Sequence, residues 1–201
     1  DNNQLTMEVM KRTPEKHGLV CLLHEKPYEG INGSGKHNNW SLSTNTGVNL
    51  LDPDREPAKN LQFMLFLAAT MKAVDVYGDL LRVSVATAGN DHRLGGNEAP
   101  PAIVSMFIGD DLASVLDIIE ADAESEAKET VTMTAGPKVL PHFIKDTTDR
   151  NRTSPFAFTG NKFEFRMPGS SLSVSGPNVI LNTAVADSLG AFADRLEKVP
   201  A

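Results

Sequence analysis

Residues 156–167 read FAFTGNKFEFRM, and this stretch decides the fold class. Apolar and polar residues alternate on both sides of Thr159-Gly160-Asn161, which is typical of two antiparallel strands joined by a turn. On the second strand Lys162, Glu164 and Arg166 would share one face, because successive side chains of a strand point to opposite sides. The sequence therefore predicts a β-hairpin with one aromatic face and one charged face.

Outward from the hairpin, helices and strands follow no regular alternation. Helical spacing of apolar residues predicts helices over residues 1–16, 58–77 and 112–119 and a last amphipathic helix opened by Pro177, whereas short apolar or alternating runs predict strands over 19–24, 38–45 (with a loop) and 103–108. This order favours an α+β fold, an antiparallel β-sheet packed with helices, over a doubly wound parallel sheet.

Composition excludes several classes of protein. The chain has 201 residues, with 19 Lys and Arg against 26 Asp and Glu, so its net charge of −7 argues against a nucleic-acid binder. The excess acids lie between residues 110 and 129, and we interpret them as a solvated helix face and loop. No apolar run is long enough to span a bilayer and no signal peptide is visible, so we expect a cytoplasmic protein without a membrane partner.

A glycine-rich stretch after the first predicted strand is the first candidate site. Residues 30–37 read GINGSGKH, which nearly spells a phosphate-binding P-loop. A P-loop needs Ser or Thr after the lysine, where His37 stands, and a helix immediately afterwards, which residues 38–43 do not predict. A flexible surface turn is the alternative interpretation, but the density of Gly, Asn and His favours a hydrogen-bonding loop that meets a polar ligand and a metal.

Two further polar clusters are candidates. Arg93 and Glu98 flank a Gly-Gly turn, where Arg93 suits capture of a carboxylate or phosphate and Glu98 suits acid–base work, although composition alone favours an ordinary ion pair on a loop. The charged face of the hairpin, after the polar run 146–154, is the other cluster, and a solvated sheet face explains it equally well. Together the three clusters indicate a site for an anionic, phosphorylated substrate.

In order along the chain, these clusters resemble the signature of glutamine synthetase, most closely its long type III branch. The resemblance rests on residues 24–27 (HEKP), 32–41 (NGSGKHNNWS), 93–100 (RLGGNEAP), 145–152 (KDTTDRNR) and 164–166 (EFR). It covers nearly the whole chain. It implies ATP-dependent ligation of ammonia to L-glutamate through γ-glutamyl phosphate, with Mg²⁺ or Mn²⁺, in a homo-oligomer that in this family is a double-ring dodecamer.

The resemblance also implies a role for each matching residue. His37 and Glu164 would bind the metal that contacts the ATP phosphates, and Glu98 would shield the intermediate and take a proton from ammonium. The remaining roles are those of binding residues: Asn32 and Gly33 for the amino end of glutamate, Arg93 and Arg166 for its carboxylates, Arg152 for charge during phosphoryl transfer and for ATP, and Asn39, Ser41 and Lys162 for the nucleotide.

The chain also departs from the family pattern. Asn39 replaces a second histidine of the common bacterial branch, and Ala157 stands where a phosphate-facing arginine is often found. Because the family's other metal-binding glutamates would lie before Asp1, we expect residues 1–201 to be the C-terminal part of a catalytic domain and the 201-residue chain alone to be inactive. A related γ-glutamylamine ligase and a non-catalytic binding module are the alternatives.

Overall fold

The computed structural model describes residues 2–126 and 154–199. Besides a short 3-10 helix (Pro57–Lys59), six α-helices lie in these ranges: α1 (Asn2–Glu15), α2 (Leu61–Val76), α3 (Gly78–Val83), α4 (Ala88–Arg93), α5 (Asp110–Glu126) and α6 (Ser175–Leu196). The strands are β1 (Asn38–Trp40), β2 (Met106–Phe107), β3 (Phe156–Phe158) and β4 (Phe163–Phe165), and the predicted α+β class is confirmed. No helix in the described ranges is long and apolar enough to cross a membrane.

The four strands form one sheet in the order β1-β4-β3-β2. The predicted hairpin is present as β3 and β4, and Gly160 adopts the positive φ of +97° that its turn requires. β1 pairs with β4 antiparallel, which agrees with the predicted antiparallel sheet, but β2 pairs with β3 in parallel. The sheet is therefore mixed rather than wholly antiparallel.

One face of the sheet forms the centre of the core. The side chains of Phe156, Phe158, Phe163 and Phe165 are all buried there, and the rings of Phe156 and Phe163 stack with their centroids 4.8 Å apart. Phe63 of α2 meets Phe158 at 5.8 Å, which brings the buried face of that helix against the aromatic rings. Burial of such large rings is the main stabilising term available to a sheet this small.

Helix α6 is tied to β1 by two side-chain hydrogen bonds. The Nδ2 atom of Asn38 donates to Oδ1 of Asn178, and the indole Nε1 of Trp40 donates to Oδ1 of Asn182, both at 2.8 Å. The two acceptors are four residues apart on the helix, and the two donors are two residues apart on the strand. The bonds fix β1 with Asn39 on the opposite face of the sheet.

Two predicted strands differ from the structure. Residues 19–24 form no strand, and Leu19 and Val20 are 64% and 80% exposed, because no neighbouring strand pairs with them in the described part of the chain. Of residues 103–108, Met106 and Phe107 alone form a strand. The sequence prediction also missed the short helices α3 and α4, so Arg93 ends a helix rather than lying in a loop.

Candidate active site

The polar face of the sheet carries a contact between His37 and Glu164. Nδ1 of His37 lies 2.7 Å from Oε1 of Glu164, although the two residues are 127 positions apart in the sequence. The other carboxylate oxygen, Oε2, accepts a hydrogen bond from Nε of Arg166 at 3.0 Å and forms an ion pair with Nη2 of the same residue at 2.9 Å. Strand pairing puts Asn39 and Ala157 on either side of Glu164. The predicted metal-binding pair is thus in direct contact.

Glu164 is held in its ionised form. Partial burial raises the pKa of its carboxyl group, but the hydrogen bond from Arg166 and the attraction of His37 and Arg166 outweigh that effect and lower the pKa below its ordinary value. The Arg166 side chain is only 3% exposed. A negatively charged oxygen at this position is what a divalent cation needs from a protein ligand.

The donor set fits a divalent cation in part. Two ligands of an octahedral ion with bonds of about 2.1 Å lie about 3 Å apart, so the 2.7 Å between His37 and Glu164 needs to open only slightly. Nε2, on the other side of the His37 ring, has no hydrogen-bond partner among the described residues. In the same ranges, no three His, Cys, Asp or Glu side chains are grouped closely enough to hold a metal. These two residues would therefore supply part of a coordination sphere.

The glycine-rich loop continues the sheet rather than preceding a helix. Beyond β1 and β4, the Lys36 N–H donates to the Pro168 carbonyl at 2.8 Å, and the Ser170 N–H donates to the Ser34 carbonyl at 3.2 Å. Nζ of Lys36 also donates to the Leu172 carbonyl at 2.7 Å. This strand-like pairing excludes a P-loop, because no helix follows the loop. The Lys36 ammonium group binds a main-chain carbonyl of the protein.

Arg93 joins the three polar clusters. Its guanidinium group is buried under the glycine-rich loop, where a Cβ at Gly33 would overlap its Cγ atom and a Cβ at Gly35 would lie 2.5 Å from Nη1. Its Nη2 donates to the Met167 carbonyl at 2.7 Å, just after β4, and its Nε donates to Oδ1 of Asn90 at 2.9 Å. Glycine is thus required at both loop positions because the arginine fills the space a side chain would need.

These contacts bear on the predicted role of Arg93. The residue was predicted to bind a carboxylate of the substrate, but Nε and Nη2 are already bound to the protein. Within the described ranges Arg93 does not form the ordinary loop ion pair considered as an alternative, since its partners there are a carboxamide and main-chain carbonyls. Substrate binding by Arg93 stays a prediction, and Nη1 is the part of the guanidinium without a hydrogen bond to the described residues.

Glu98 lies in a loop beside the glycine-rich segment. The loop is closed by a hydrogen bond from the Gly95 N–H to the Pro100 carbonyl at 2.9 Å, and Nδ2 of Asn97 donates to the Ile31 carbonyl at 3.4 Å. The Glu98 side chain is exposed and has no hydrogen bond or ion pair within the described ranges. The structure thus places this acid next to the loop that carries Asn32 and Gly33.

The residues predicted to bind the nucleotide have different surroundings. Asn39 is exposed beside Glu164, and Lys162 is half-buried where β4 begins. Oγ of Ser41 instead donates within a local network, to Oδ1 of Asn49 at 2.8 Å and to the Asn161 carbonyl at 3.1 Å. Arg152 and the motif 145–152 lie outside the described residues, so their predicted role stays a prediction.

Two structural residues were missed by sequence reasoning. Asn90 is fully buried and bridges the carbonyls of Val85 and Met167 through Nδ2, at 2.8 and 2.9 Å. Glu25 is buried with its carboxylate bound to Ser171. Glu25 belongs to the HEKP motif, but neither residue has a sequence pattern that predicts burial, because each depends on partners distant in the chain.

The sequence of this chain is similar to those of known proteins. The family model described as "Glutamine synthetase, catalytic domain" matches residues 1–102. A protein named type-3 glutamine synthetase from Dictyostelium discoideum is 56% identical over 94% of this chain. Glutamine synthetases from Butyrivibrio fibrisolvens and Bacteroides fragilis are 62% and 49% identical over 82% and 99% of it.

The coverage of these relatives is uneven. Almost all of this chain is matched, but it spans 26%, 23% and 28% of the lengths of the three relatives, or about a quarter. The resemblance predicted from the motifs, including the type III branch, is confirmed by the matches. Because the family model covers half of its residues, the chain belongs to the glutamine synthetase catalytic-domain family.

Proposed function

We propose that residues 1–201 form the C-terminal part of the catalytic domain of a glutamine synthetase, which ligates ammonia to L-glutamate at the expense of ATP. The observation that carries the proposal is the His37–Glu164–Arg166 contact, joined through Arg93 to the glycine-rich loop. It unites three clusters that are far apart in the sequence. The names of the relatives support the same reaction.

His37 and Glu164 are the residues that would hold a divalent ion, Mg²⁺ or Mn²⁺. An ion held there would supply positive charge to offset that of the phosphates when the γ-phosphoryl group of ATP is transferred to the glutamate side chain. Arg166 keeps Glu164 ionised and fixes its orientation. Asn39 and Lys162, beside Glu164, would offer a carboxamide and an ammonium group to the nucleotide, and Ser41 would support the turn at Asn161.

Glutamate would bind at the glycine-rich loop. Asn32 and Gly33 are exposed in that loop, where they could meet the amino end of the substrate. Arg93 and Arg166 would attract its carboxylates, although each also holds protein groups. Glu98 is exposed nearby and would take the proton that ammonium must lose before its nitrogen attacks the acyl phosphate. Arg152 would neutralise charge on the transferred phosphoryl group.

The whole site requires more residues than the described ranges contain. Two metal ligands are too few to fix a bridging Mg²⁺, which prefers six oxygen ligands in near-octahedral geometry. We propose that the other ligands come from the rest of the protein, in a cytoplasmic homo-oligomer such as the family's double-ring dodecamer. The 201-residue chain alone is accordingly expected to be inactive.

The test is a γ-glutamyl phosphate and glutamine assay on the whole protein that contains this chain. Glu98→Ala should reduce kcat by about 10²–10⁴-fold, the contribution of a positioned acid–base group, and leave ATP binding nearly unchanged. Glu29→Ala is the matched control, because Glu29 is an exposed acid in the described part of the chain without a partner.

Three outcomes would contradict the proposal. Equal rates for Glu98→Ala and the parent protein would exclude the assigned role of Glu98. A preference for alkylamines over ammonia would indicate a γ-glutamylamine ligase. The absence of binding heat with ATP and magnesium in titration calorimetry would indicate a non-catalytic binding module.

A further inference from the structure

Glu25 is a buried carboxylate with no role in the proposed reaction. It is only 7% exposed, and Oε1 accepts a hydrogen bond from the Ser171 N–H at 3.1 Å and another from the Ser171 hydroxyl. Two glycines leave space for it, since a Cβ at Gly89 would lie 2.9 Å from Oε2 and a Cβ at Gly169 would lie 2.9 Å from Cγ. The surrounding chain is thus shaped around this side chain.

A buried carboxylate is costly unless hydrogen bonds and opposite charge compensate for it. Burial raises the pKa of Glu25, but hydrogen bonds, chiefly from Ser171, and the attraction of His24 together outweigh this effect and lower the pKa overall. The opposite charge is Arg93, whose side chain is 5% exposed. Burial lowers the pKa of Arg93, and the attraction of Glu25 opposes that shift. The Glu25 carboxylate therefore attracts the Arg93 guanidinium beneath the glycine-rich loop, although no direct ion pair joins them in the described part of the chain.

The main chain of Glu25 holds the same loop. Its carbonyl accepts a hydrogen bond from the Ser34 N–H at 2.6 Å, which closes the segment that carries Asn32 and Gly33. The same carbonyl would lie 2.9 Å from a Cβ at Gly33. A change in the position of Glu25 would consequently move both the loop and the arginine packed under it.

We infer that Glu25 is a positioning residue, which holds the Asn32–Gly35 loop and Arg93 in the arrangement that receives the amino and carboxylate ends of glutamate. Its carboxylate anchors the start of the loop to Ser171, and its charge keeps the Arg93 guanidinium in place. The expected effect of Glu25 on glutamate binding rests on the proposed function, but its expected effect on the structure of the loop does not.

The kinetic test uses Glu25→Gln in the whole protein, with Glu29→Gln as the matched control. Glutamine keeps the shape of the side chain and an oxygen for Ser171, but it removes the charge. We expect the glutamate KM to rise about tenfold, the scale of one charge-assisted hydrogen bond, with kcat and the ATP KM within about twofold of the parent. Glu29→Gln should change none of these values.

Ser171→Ala is a second variant, because it keeps the carboxylate and removes one donor. Its glutamate KM should rise by a smaller factor than that of Glu25→Gln, and it keeps the inference testable where the glutamine variant does not fold. A lower kcat and lower melting temperature with an unchanged glutamate KM would overturn the inference, since they would indicate a purely structural role.

Hydrogen exchange separates failure of this inference from failure of the proposed function. In Glu25→Gln, amides of residues 32–37 and 169–172 should exchange faster than in the parent protein, while those of α2 and α6 should not change. This readout needs no activity, so it decides the role of Glu25 even where the parent protein makes no glutamine. Unchanged exchange in both segments would overturn the inference.

Discussion

Along β4, alternate side chains point to opposite faces of the sheet and have opposite surroundings. Phe163 and Phe165 lie among aromatic rings and make no polar contact, whereas Glu164 between them contacts His37 and Arg166. The aromatic face gains free energy from burial. On the polar face, charged groups are partly removed from water, and their mutual contacts offset that cost. One strand thus supports stability on one side and chemistry on the other.

The largest expected effect comes from the aromatic face. Phe163→Ala removes a fully buried ring that touches those of Phe156 and Phe158, so it should lower the free energy of unfolding by about 3–5 kcal/mol. Denaturant titration of the whole protein measures the loss. The glutamate KM of the protein that remains folded should stay the same. A loss below about 1 kcal/mol would contradict the account of this face.

At the neighbouring position, Glu164→Gln should weaken metal binding and have little effect on stability. The variant keeps the size of the side chain but loses its charge, so the Mg²⁺ or Mn²⁺ concentration for half-maximal binding should rise by at least about 10–100-fold. Titration calorimetry with Mn²⁺ and an ATP analogue measures this, and the exposed acid in Glu29→Gln is the control. Unchanged metal affinity, or a stability loss as large as that of Phe163→Ala, would contradict the division between the faces.

Arg166→Lys tests how the polar face is held together. Lysine keeps the positive charge but cannot reproduce the two-point contact with Glu164, a hydrogen bond from Nε and an ion pair with Nη2. If Arg166 binds a substrate carboxylate, the glutamate KM should rise by about fivefold to tenfold. A shift in metal affinity with an unchanged glutamate KM would instead assign Arg166 to Glu164 alone.

The smallest effect is expected from pH. The pKa of Glu25 is lowered in the folded protein, so its contribution to stability is complete above the ordinary glutamate pKa of 4.5 and is lost as pH falls through the lowered value. The difference in melting temperature between the parent and Glu25→Gln should therefore be constant near neutral pH and shrink below about 4.5. A difference that widens on acidification would contradict this sign.

The sequence predicted the elements that depend on local pattern. The hairpin was predictable because alternation and the turn lie within residues 156–167, and α2 and α6 because their apolar spacing is helical. Residues 19–24 were predicted as a buried strand from their apolar character alone. An apolar run forms a strand only where another strand pairs with it, and that partner cannot be read from the run itself.

The sequence likewise predicted one part of the site and missed another. The proximity of His37 and Glu164 was predicted through the family motifs, and the structure confirms the contact although its role with metal stays a prediction. The burial of Arg93 against the carbonyls after β4 was not predicted, since it results from packing α4 under the glycine-rich loop. The spacing of a motif indicates which side chains can contribute to a site. It does not indicate which of their hydrogen-bond donors already bind other groups of the protein.

The asparagine pair on α6 has a consequence for strand register. Four helical residues rise by about 6 Å, and two strand residues rise by about 6.6 Å. The spacing of Asn178 and Asn182 along α6 therefore matches the spacing of Asn38 and Trp40 along β1. A slip of β1 by one residue would break both bonds and turn Asn39 towards the aromatic rings. The two hydrogen bonds from β1 to α6 therefore select one register of the strand, and they do so before any substrate is present.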